Sequence, residues 1–160
     1  MLRLLSELLT ITDTLGEVDI PYALCGGMAL AAHGHPRFTR DIDLLVEESA
    51  VDHVKHLAGE LGYTLTAQPM TFGVQAGVPR TVHRVSKILD GGELLTLDLL
   101  VVSPELEEAW RSKAAYEIDG HTVYVVSRGG LVSMKRLAGR DQDGVDIRTL
   151  LGDGTGELDD

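Results

Sequence analysis

The chain alternates short apolar runs with glycine turns and amphipathic stretches, and this pattern predicts an ordered succession of helices and strands. Leucines recur at helical spacing in the first segment, which predicts an amphipathic helix over residues 2–15. Its inward face is expected to carry Leu2, Leu5, Leu8, Leu9 and Leu15. Further helices and strands are predicted in the first half of the chain, with helices at 27–34 and 50–61 and strands at 22–25, 41–46 and near 63–67.

The second half is patterned as two hairpins and two helical regions. Glycine turns divide the apolar runs, which predicts strands at 80–89 and 94–102 around Gly91 and a second hairpin at 116–126 around Gly120. Serines stand where helix N-caps are expected, because a serine oxygen accepts hydrogen bonds from first-turn amides. These serines are Ser49, Ser103 (followed by Pro104) and Ser127, and the last helical region is expected to break near Gly139.

Two acids interrupt the apolar strand predicted at 41–46. Residues two apart on a strand point to the same face, so Asp41 and Asp43 would lie side by side. Carboxylates placed there repel each other and lose hydration, and a hard divalent cation such as Mg²⁺, which prefers oxygen ligands, offsets that cost. The alternative is an exposed strand start with both acids solvated.

The pair Gly26-Gly27 separates a short apolar strand from a run of strong helix formers. Glycine lets the backbone approach a ligand closely, and the free amides at the start of a helix suit phosphate. The alternative is a plain tight turn. A glycine turn about fifteen residues before a strand with paired acids favours the combination of a phosphate site with a metal site.

A third acid, Asp98, stands alone in the apolar run from Leu94 to Val102. Adjacent strands lie about 4.8 Å apart, so a neighbouring strand could bring Asp98 to the same ions as Asp41 and Asp43. Two ions would stabilise both the attacking and the leaving oxygen of an in-line displacement. The alternative is a half-buried edge strand with Asp98 in water, and the apolar residues on both faces of the strand argue against it.

The segments 23–30 and 37–44 together resemble the signature of the nucleotidyltransferase superfamily that shares the palm of DNA polymerase beta. That signature is a hydrophobic strand, Gly-Gly or Gly-Ser, a helix, Asp-x-Asp and a third Asp on a later strand. The resemblance implies an α+β (mixed α/β) fold, a polymerase-beta-like palm whose mixed sheet is flanked by helices. It also implies that Asp41, Asp43 and Asp98 are catalytic and hold Mg²⁺ or Mn²⁺.

The form Arg-x-Thr-x-Asp-x-Asp-Leu at 37–44 is similar to a small bacterial branch, which includes toxins of abortive-infection toxin–antitoxin pairs and antibiotic nucleotidyltransferases. Lys135, Arg140, Asp143 and Asp146 resemble that branch's Lys-x4-Arg-x2-Asp-x2-Asp segment. The resemblance implies that Lys135 touches the nucleotide, together with Gly26, Gly27 and Arg40. The roles of Arg140, Asp143 and Asp146 are left unassigned.

Composition bounds the remaining possibilities. With 160 residues, one domain over 1–151 and a disordered Gly- and Asp-rich tail at 152–160 are expected. No run approaches a membrane span, and the single cysteine, Cys25, can form no internal disulfide, which fits a cytoplasmic location. The net charge of −11 argues against broad nucleic-acid binding, which needs a basic surface.

The sequence therefore predicts an enzyme that moves a nucleoside monophosphate from ATP or another NTP to a hydroxyl of a small-molecule, RNA or protein acceptor. Two alternatives stay open: a toxin-like nucleotidyltransferase acting on tRNA or protein, and a non-catalytic relative that binds a nucleotide or a partner. A homodimer is expected to complete the acceptor site, with an antitoxin-like partner as the second choice. The Leu-rich first helix and Leu131, Val132 and Leu137 are the candidate contact surfaces.

Overall fold

The computed structural model describes residues 2–36, 38–73 and 79–138. Arg140, Asp143, Asp146 and the tail at 152–160 lie outside the described residues, so the predictions made for them are not taken further. No helix in the described ranges is both long and apolar enough to span a bilayer.

Helices and strands alternate irregularly along the described chain. The helices are α1 Leu2–Glu17, α2 Gly26–Ala32, α3 Val51–Glu60, α4 Glu107–Arg111 and α5 Arg128–Ala138. The strands are β1 Ala23–Cys25, β2 Asp41–Val46, β3 Leu65–Thr66, β4 Met70–Phe72, β5 Arg80–Ile88, β6 Leu94–Val101, β7 Ala114–Ile118 and β8 His121–Val125. Short 3-10 turns, Glu48–Ala50 and Pro104–Leu106, precede α3 and α4.

The eight described strands form one mixed sheet in the order β3-β5-β6-β2-β1-β8-β7, and β4 pairs with β5 beside β3. The pairs β2–β6 and β1–β8 are parallel, and the other pairs are antiparallel. A mixed sheet with flanking helices is the predicted fold class, which is confirmed. Parallel pairing puts β2 and β6 side by side although more than forty residues separate them along the chain.

The centre of the sheet is apolar on both faces, as expected for strands covered on two sides. Ile42, Leu44 and Leu45 of β2 and Leu97 and Leu99 of β6 are fully buried. Strand β4, which the sequence analysis did not predict, is a three-residue strand with two exposed residues. It therefore gives no periodic pattern to recognise.

Helix α1 covers the sheet face opposite Arg84. Lys87, three residues from Arg84 on β5, points to the other face, where its Nζ lies 2.6 Å from Glu7 Oε1 of α1. The hydroxyl of Tyr63 donates a hydrogen bond to the same Glu7 oxygen at 2.8 Å. The buried side of α1 includes the predicted Leu8, Leu9 and Leu15, together with Leu4 and Ile11, which were not predicted, while Leu5 is half-buried and the Leu2 side chain lies outside the described part.

The predicted N-caps have different outcomes. The prediction for Ser49 is wrong, because Ser49 lies inside the 3-10 turn before α3 and Ala50 occupies the cap position. Ser103 stands at the cap position before Pro104, but its side chain makes no capping hydrogen bond. Ser127 caps α5, since its Oγ accepts a hydrogen bond from the Gly130 amide at 3.0 Å.

Helix α5 packs against α4 through Gly130. A Cβ at Gly130 would lie 2.6 Å from Val126 Cγ1 and 3.2 Å from the Ala109 Cα, both closer than ordinary van der Waals contact. The absence of a side chain at this position therefore sets how closely the first turn of α5 approaches α4.

We expect Gly130→Ala to lower the free energy of unfolding by about 1–3 kcal/mol, because the added methyl group overpacks this contact. Gly59→Ala is the matched control: it lies in α3, and nothing lies within 4 Å of the Cβ it would add. That variant should gain about 0.5–1 kcal/mol, since alanine is the better helix former. Urea denaturation of both proteins checks the prediction, and equal effects would contradict the close packing of α5.

Candidate active site

A row of chemically distinct side chains crosses four neighbouring strands. Strand pairing sets Cys25 opposite Asp43, Asp43 opposite Asp98 and Asp98 opposite Arg84. The Cys25 thiol donates to the backbone oxygen of Asp43 at 3.4 Å. Burial, followed by the nearby Asp43 carboxylate, raises the pKa of this thiol well above its usual value, so it is a neutral neighbour of the acids.

Asp41 lies two residues before Asp43 on β2 and therefore on the same face. It pairs in register with Thr96, which in turn pairs with Ser86. The hydroxyls of Ser86 and Thr96 are 3.1 Å apart and hydrogen-bonded. The register thus brings all three predicted carboxylates to one face, and their role as metal ligands stays a prediction.

Asp98 is held by an ion pair with Arg84. The Arg84 Nε donates to Asp98 Oδ1 at 2.8 Å, and its NH2 group donates to Oδ2 at 2.9 Å. This two-point contact between a planar guanidinium and a carboxylate is the strong form of a charged hydrogen bond. It raises the pKa of Arg84 and engages both oxygens of Asp98.

No such ion pair engages Asp43 among the described residues, and this acid carries the electrostatic cost of the cluster. Burial raises the pKa of Asp43 to about 7, and the nearby charges of Asp98 and Asp41 act in the same direction. The positive charges of Arg84 and Lys135 oppose this without cancelling it. Asp41 shows the same pattern more weakly: burial and then Asp98 raise its pKa. The face therefore carries more negative charge than its own cations compensate.

The absence of a side chain at Gly26 makes room for the Asp43 carboxylate. Its φ is +68°, a conformation that favours glycine, and a Cβ at Gly26 would overlap the Asp43 carboxylate. At the next residue, a Cβ on Gly27 would lie 3.1 Å from the side chain of Thr39. The two glycines thus bring the start of α2 against the acid-bearing strand.

A cavity of about 610 Å³ opens over this face. Its polar part contains the three acids, Arg84, Lys135 and the two glycines. The rest is mostly apolar, lined by Met70, Phe72, Val82, Leu100, Leu106, Met134 and Leu137. A cavity of this size, with a few convergent polar groups beside an apolar wall, suits a small organic ligand.

The predicted nucleotide-binding residues are not all in the cavity. Gly26, Gly27 and Lys135 line it, and Lys135 is buried. Arg40 does not line it; its side chain is exposed, with the guanidinium 5.4 Å from the centre of the Phe38 ring. Arg40 still lies near enough to Asp41 to lower the pKa of that carboxyl.

The donor set fits a hard divalent ion only in part. Asp41 and Asp43 offer carboxylate oxygens on one face, which is the chemistry that Mg²⁺ prefers. However, no three His, Cys, Asp or Glu side chains in the described ranges are spaced to hold one ion as they stand. Asp98 is in register with Asp43, but Arg84 occupies both its oxygens. Asp41 and Asp43 are therefore the first candidate ligands, and full use of Asp98 by a metal ion requires the positively charged Arg84 to move.

The pairing of Arg84 with Asp98 was missed in the sequence analysis, although a signal for it exists. Arg84 and Asp98 each lie seven residues from Gly91, so a tight turn centred on that glycine pairs them across the hairpin.

Other polar groups have structural contacts. His33 lies 2.8 Å from the backbone oxygen of Val126 and contacts the Tyr116 hydroxyl, while His35 lies near Arg128. A second, open cavity of about 850 Å³ lies between the end of α1 and the β7–β8 hairpin, where His121 pairs with Asp13 at 2.8 Å. It contains none of the predicted site residues.

Residues 1–132 match the family model described as uncharacterised nucleotidyltransferase. The chain belongs to this nucleotidyltransferase family. The match includes β1, α2, β2 and β6, and therefore Gly26, Gly27 and all three acids. No curated protein matches the chain with significant similarity.

Several solved structures share the fold of this family member. A candidate nucleotidyltransferase from Thermotoga maritima superposes with a TM-score of 0.63 at 17% identity, over 92% of this chain and 91% of that one. The lincosamide antibiotic adenylyltransferase LnuA, bound to lincomycin, superposes with a TM-score of 0.59 at 15% identity, over 91% of this chain and 94% of that one. ANT(2″)-Ia in complex with adenylyl-2″-tobramycin superposes with a TM-score of 0.57 at 16% identity, over 94% of this chain and 88% of that one. At these identities the likeness establishes the polymerase-beta-like fold.

Replacing Asp43 or Asp98 by asparagine should change the folding stability in opposite directions. In metal-free protein the raised pKa of Asp43, about 7 against an ordinary 3.8, removes stability as pH rises from about 4 through 7. Asp43→Asn should therefore be more stable than wild type at pH 8, by up to a few kcal/mol at about 1.4 kcal/mol per pKa unit, and nearly equal at pH 4. Asp98→Asn should lose about 1–3 kcal/mol, because Arg84 loses its charged partner. Thermal unfolding in EDTA at both pH values measures this; a large loss in Asp43→Asn would contradict it.

Proposed function

We propose that this family member transfers a nucleoside monophosphate from an NTP to a hydroxyl group and releases pyrophosphate, with divalent metal ions held at Asp41, Asp43 and Asp98. The observation that carries the proposal is the convergence of these carboxylates on one cavity face, beside Gly26 and the buried Lys135. A non-catalytic relative would have no need to keep three acids together in a buried sheet, since each adds repulsion and desolvation.

The charge imbalance of this face supports metal dependence. Burial, and then the charges of Asp98 and Asp41, raise the pKa of Asp43 to about 7 and so disfavour its charged form. Mg²⁺ or Mn²⁺ bound here would restore the ionised form and supply Lewis-acid stabilisation of the phosphoryl oxygens. Asp41 and Asp43 would hold such ions as they stand, and Asp98 would join them on release from Arg84.

The protein's own groups would then position the substrates. Gly26 and Gly27 line the cavity edge, where the triphosphate would lie, and the Lys135 ammonium would neutralise charge that develops on it. Asp98 would lie nearest the attacking hydroxyl and accept its proton. Transfer of this kind depends mainly on positioning and electrostatics, and needs no covalent contribution from the protein.

A small acceptor fits the chain better than a long nucleic acid. The net charge of −11 repels a phosphate backbone, and one side of the cavity is apolar. LnuA and ANT(2″)-Ia, which share the fold, were solved with lincomycin and adenylyl-tobramycin. We therefore propose a neutral or cationic small molecule with a free hydroxyl as the acceptor, in preference to tRNA or protein.

The assembly and the location of the protein stay predictions. Leu131 and Val132, suggested with Leu137 as parts of a dimer contact, are buried in the core, as is the apolar side of α1, and Leu137 is half-buried and lines the cavity. A homodimer or an antitoxin-like complex would have to use other surfaces. Light scattering at tens of micromolar distinguishes a dimer from a monomer of 17.3 kDa. The cytoplasmic location is tested by cell fractionation.

The activity is tested with α-labelled NTPs, Mg²⁺ or Mn²⁺, and two panels of acceptors, one of hydroxylated small molecules and one of total RNA. We expect label transfer to a small molecule, lost on addition of EDTA and in Asp43→Asn, whose fold should be intact. Transfer to RNA alone would favour the toxin-like alternative. Nucleotide binding without transfer to any acceptor, by wild type in either metal, would favour the non-catalytic one.

Lys135→Ala should lower kcat about a hundredfold, as expected for a lost charge contact at a transition state. Arg136→Ala is the matched control, because Arg136 is the next residue on α5 and its side chain is exposed. It should retain wild-type turnover. Steady-state kinetics measures kcat for both variants, and circular dichroism verifies that they fold. Equal kcat values for the two variants would contradict the role of Lys135.

A further inference from the structure

We propose that Arg84 is an internal counter-ion that competes with the divalent metal for Asp98 and so sets the metal affinity of the site. The inference rests on the proposed function, since it concerns the same carboxylates. It makes Arg84 a positioning residue that acts through Asp98.

The contact geometry supports direct competition. Both Asp98 oxygens accept hydrogen bonds from one guanidinium, at 2.8 and 2.9 Å. Each carboxylate oxygen keeps a second lone pair, so the competition is one of charge: a metal ion and the Arg84 guanidinium repel each other and cannot both lie against Asp98 at full strength. The described ranges contain no ready three-ligand site.

The two partners differ in their freedom to move. The Asp98 side chain is only 9% exposed and sits in the central strand β6, whereas the Arg84 side chain is 42% exposed and borders the cavity. Asp98 therefore stays in place opposite Asp43, and Arg84 is the partner that moves away. The partly exposed guanidinium can be hydrated as it leaves, which makes the exchange feasible.

Charge balance explains why such a counter-ion is useful. Without metal, Asp98 would add a third unneutralised carboxylate beside Asp43 and Asp41 in a buried sheet. Arg84 neutralises it until metal arrives. The consequence is a weaker but exchangeable metal site, because part of the binding energy is used to break the Arg84–Asp98 pair.

The test measures binding of Mn²⁺ alone, without nucleotide, from the EPR signal of free Mn²⁺. We expect Arg84→Met to bind Mn²⁺ about tenfold more tightly than wild type, since the competing charge is gone. Its melting temperature in EDTA should fall, and Mn²⁺ should raise it more than in wild type. Arg84→Lys keeps the charge but not the two-point contact; it should show an intermediate affinity and serves if Arg84→Met does not fold.

Arg80→Met is the matched control. Arg80 lies on the same face of β5, lines the same cavity and forms no ion pair within the described part of the chain. It removes the same charge and should change Mn²⁺ affinity less than about threefold, through long-range electrostatics only. Equal effects of Arg80→Met and Arg84→Met would overturn the proposal.

A double-mutant cycle identifies Asp98 as the group through which Arg84 acts. In an Asp98→Asn background, Arg84→Met should no longer tighten Mn²⁺ binding beyond the Arg80 control. A tenfold gain in Mn²⁺ affinity that persists in this background would overturn the proposal. So would an Arg84→Met protein that binds Mn²⁺ with wild-type affinity when Asp98 is present. Asp43→Asn separates the two hypotheses. Its retention of Mn²⁺ binding would count against the proposed metal site itself, whereas its loss, together with no effect of Arg84→Met, would reject the counter-ion alone.

Discussion

Repulsion among three carboxylates on one face of a buried sheet is the constraint on which the rest of this structure depends. Each acid would be more stable in water: burial first, and then the nearby charges of Asp98 and Asp41, raise the pKa of Asp43 to about 7. The apolar core on the other face of β2 and β6, where Ile42, Leu97 and Leu99 are fully buried, holds the strands together against this repulsion. The three acids therefore lower the folding stability of the metal-free protein, as expected for a functional site.

The order of the strands brings the acids together on one face of the sheet. Asp43 and Asp98 belong to segments far apart in sequence, and only the parallel pairing of β2 with β6 sets them side by side. The short strand β1 on the other flank brings Gly26 against Asp43, where no side chain would fit. Because each of these contacts depends on register, a slip of one residue would send the acids to the opposite face.

Much of this arrangement follows from the sequence because apolar patterns are local. The strands with buried residues, the glycine turns and the three acids in apolar surroundings were all recognisable, and the mixed α+β fold was predicted correctly. The pairing of Arg84 with Asp98 was not predicted, because it depends on the exact centre of a hairpin turn. Strand β4 and the cap before α3 also escaped, because exposed short elements carry little periodicity and a 3-10 turn displaced Ser49 from its expected place.

Two acids of this cluster, Asp98 and Asp43, differ in how their negative charge is balanced. Asp98 is paired with Arg84, whereas no such ion pair engages Asp43 within the described part of the chain, where the charge of Lys135 only lowers its pKa in part. A site with every acid paired to an arginine would be stable but closed to metal, and one with none would resist folding without it. Pairing only the most buried acid, with an arginine that is itself partly exposed, keeps the sheet stable while leaving the remaining oxygens open to a ligand.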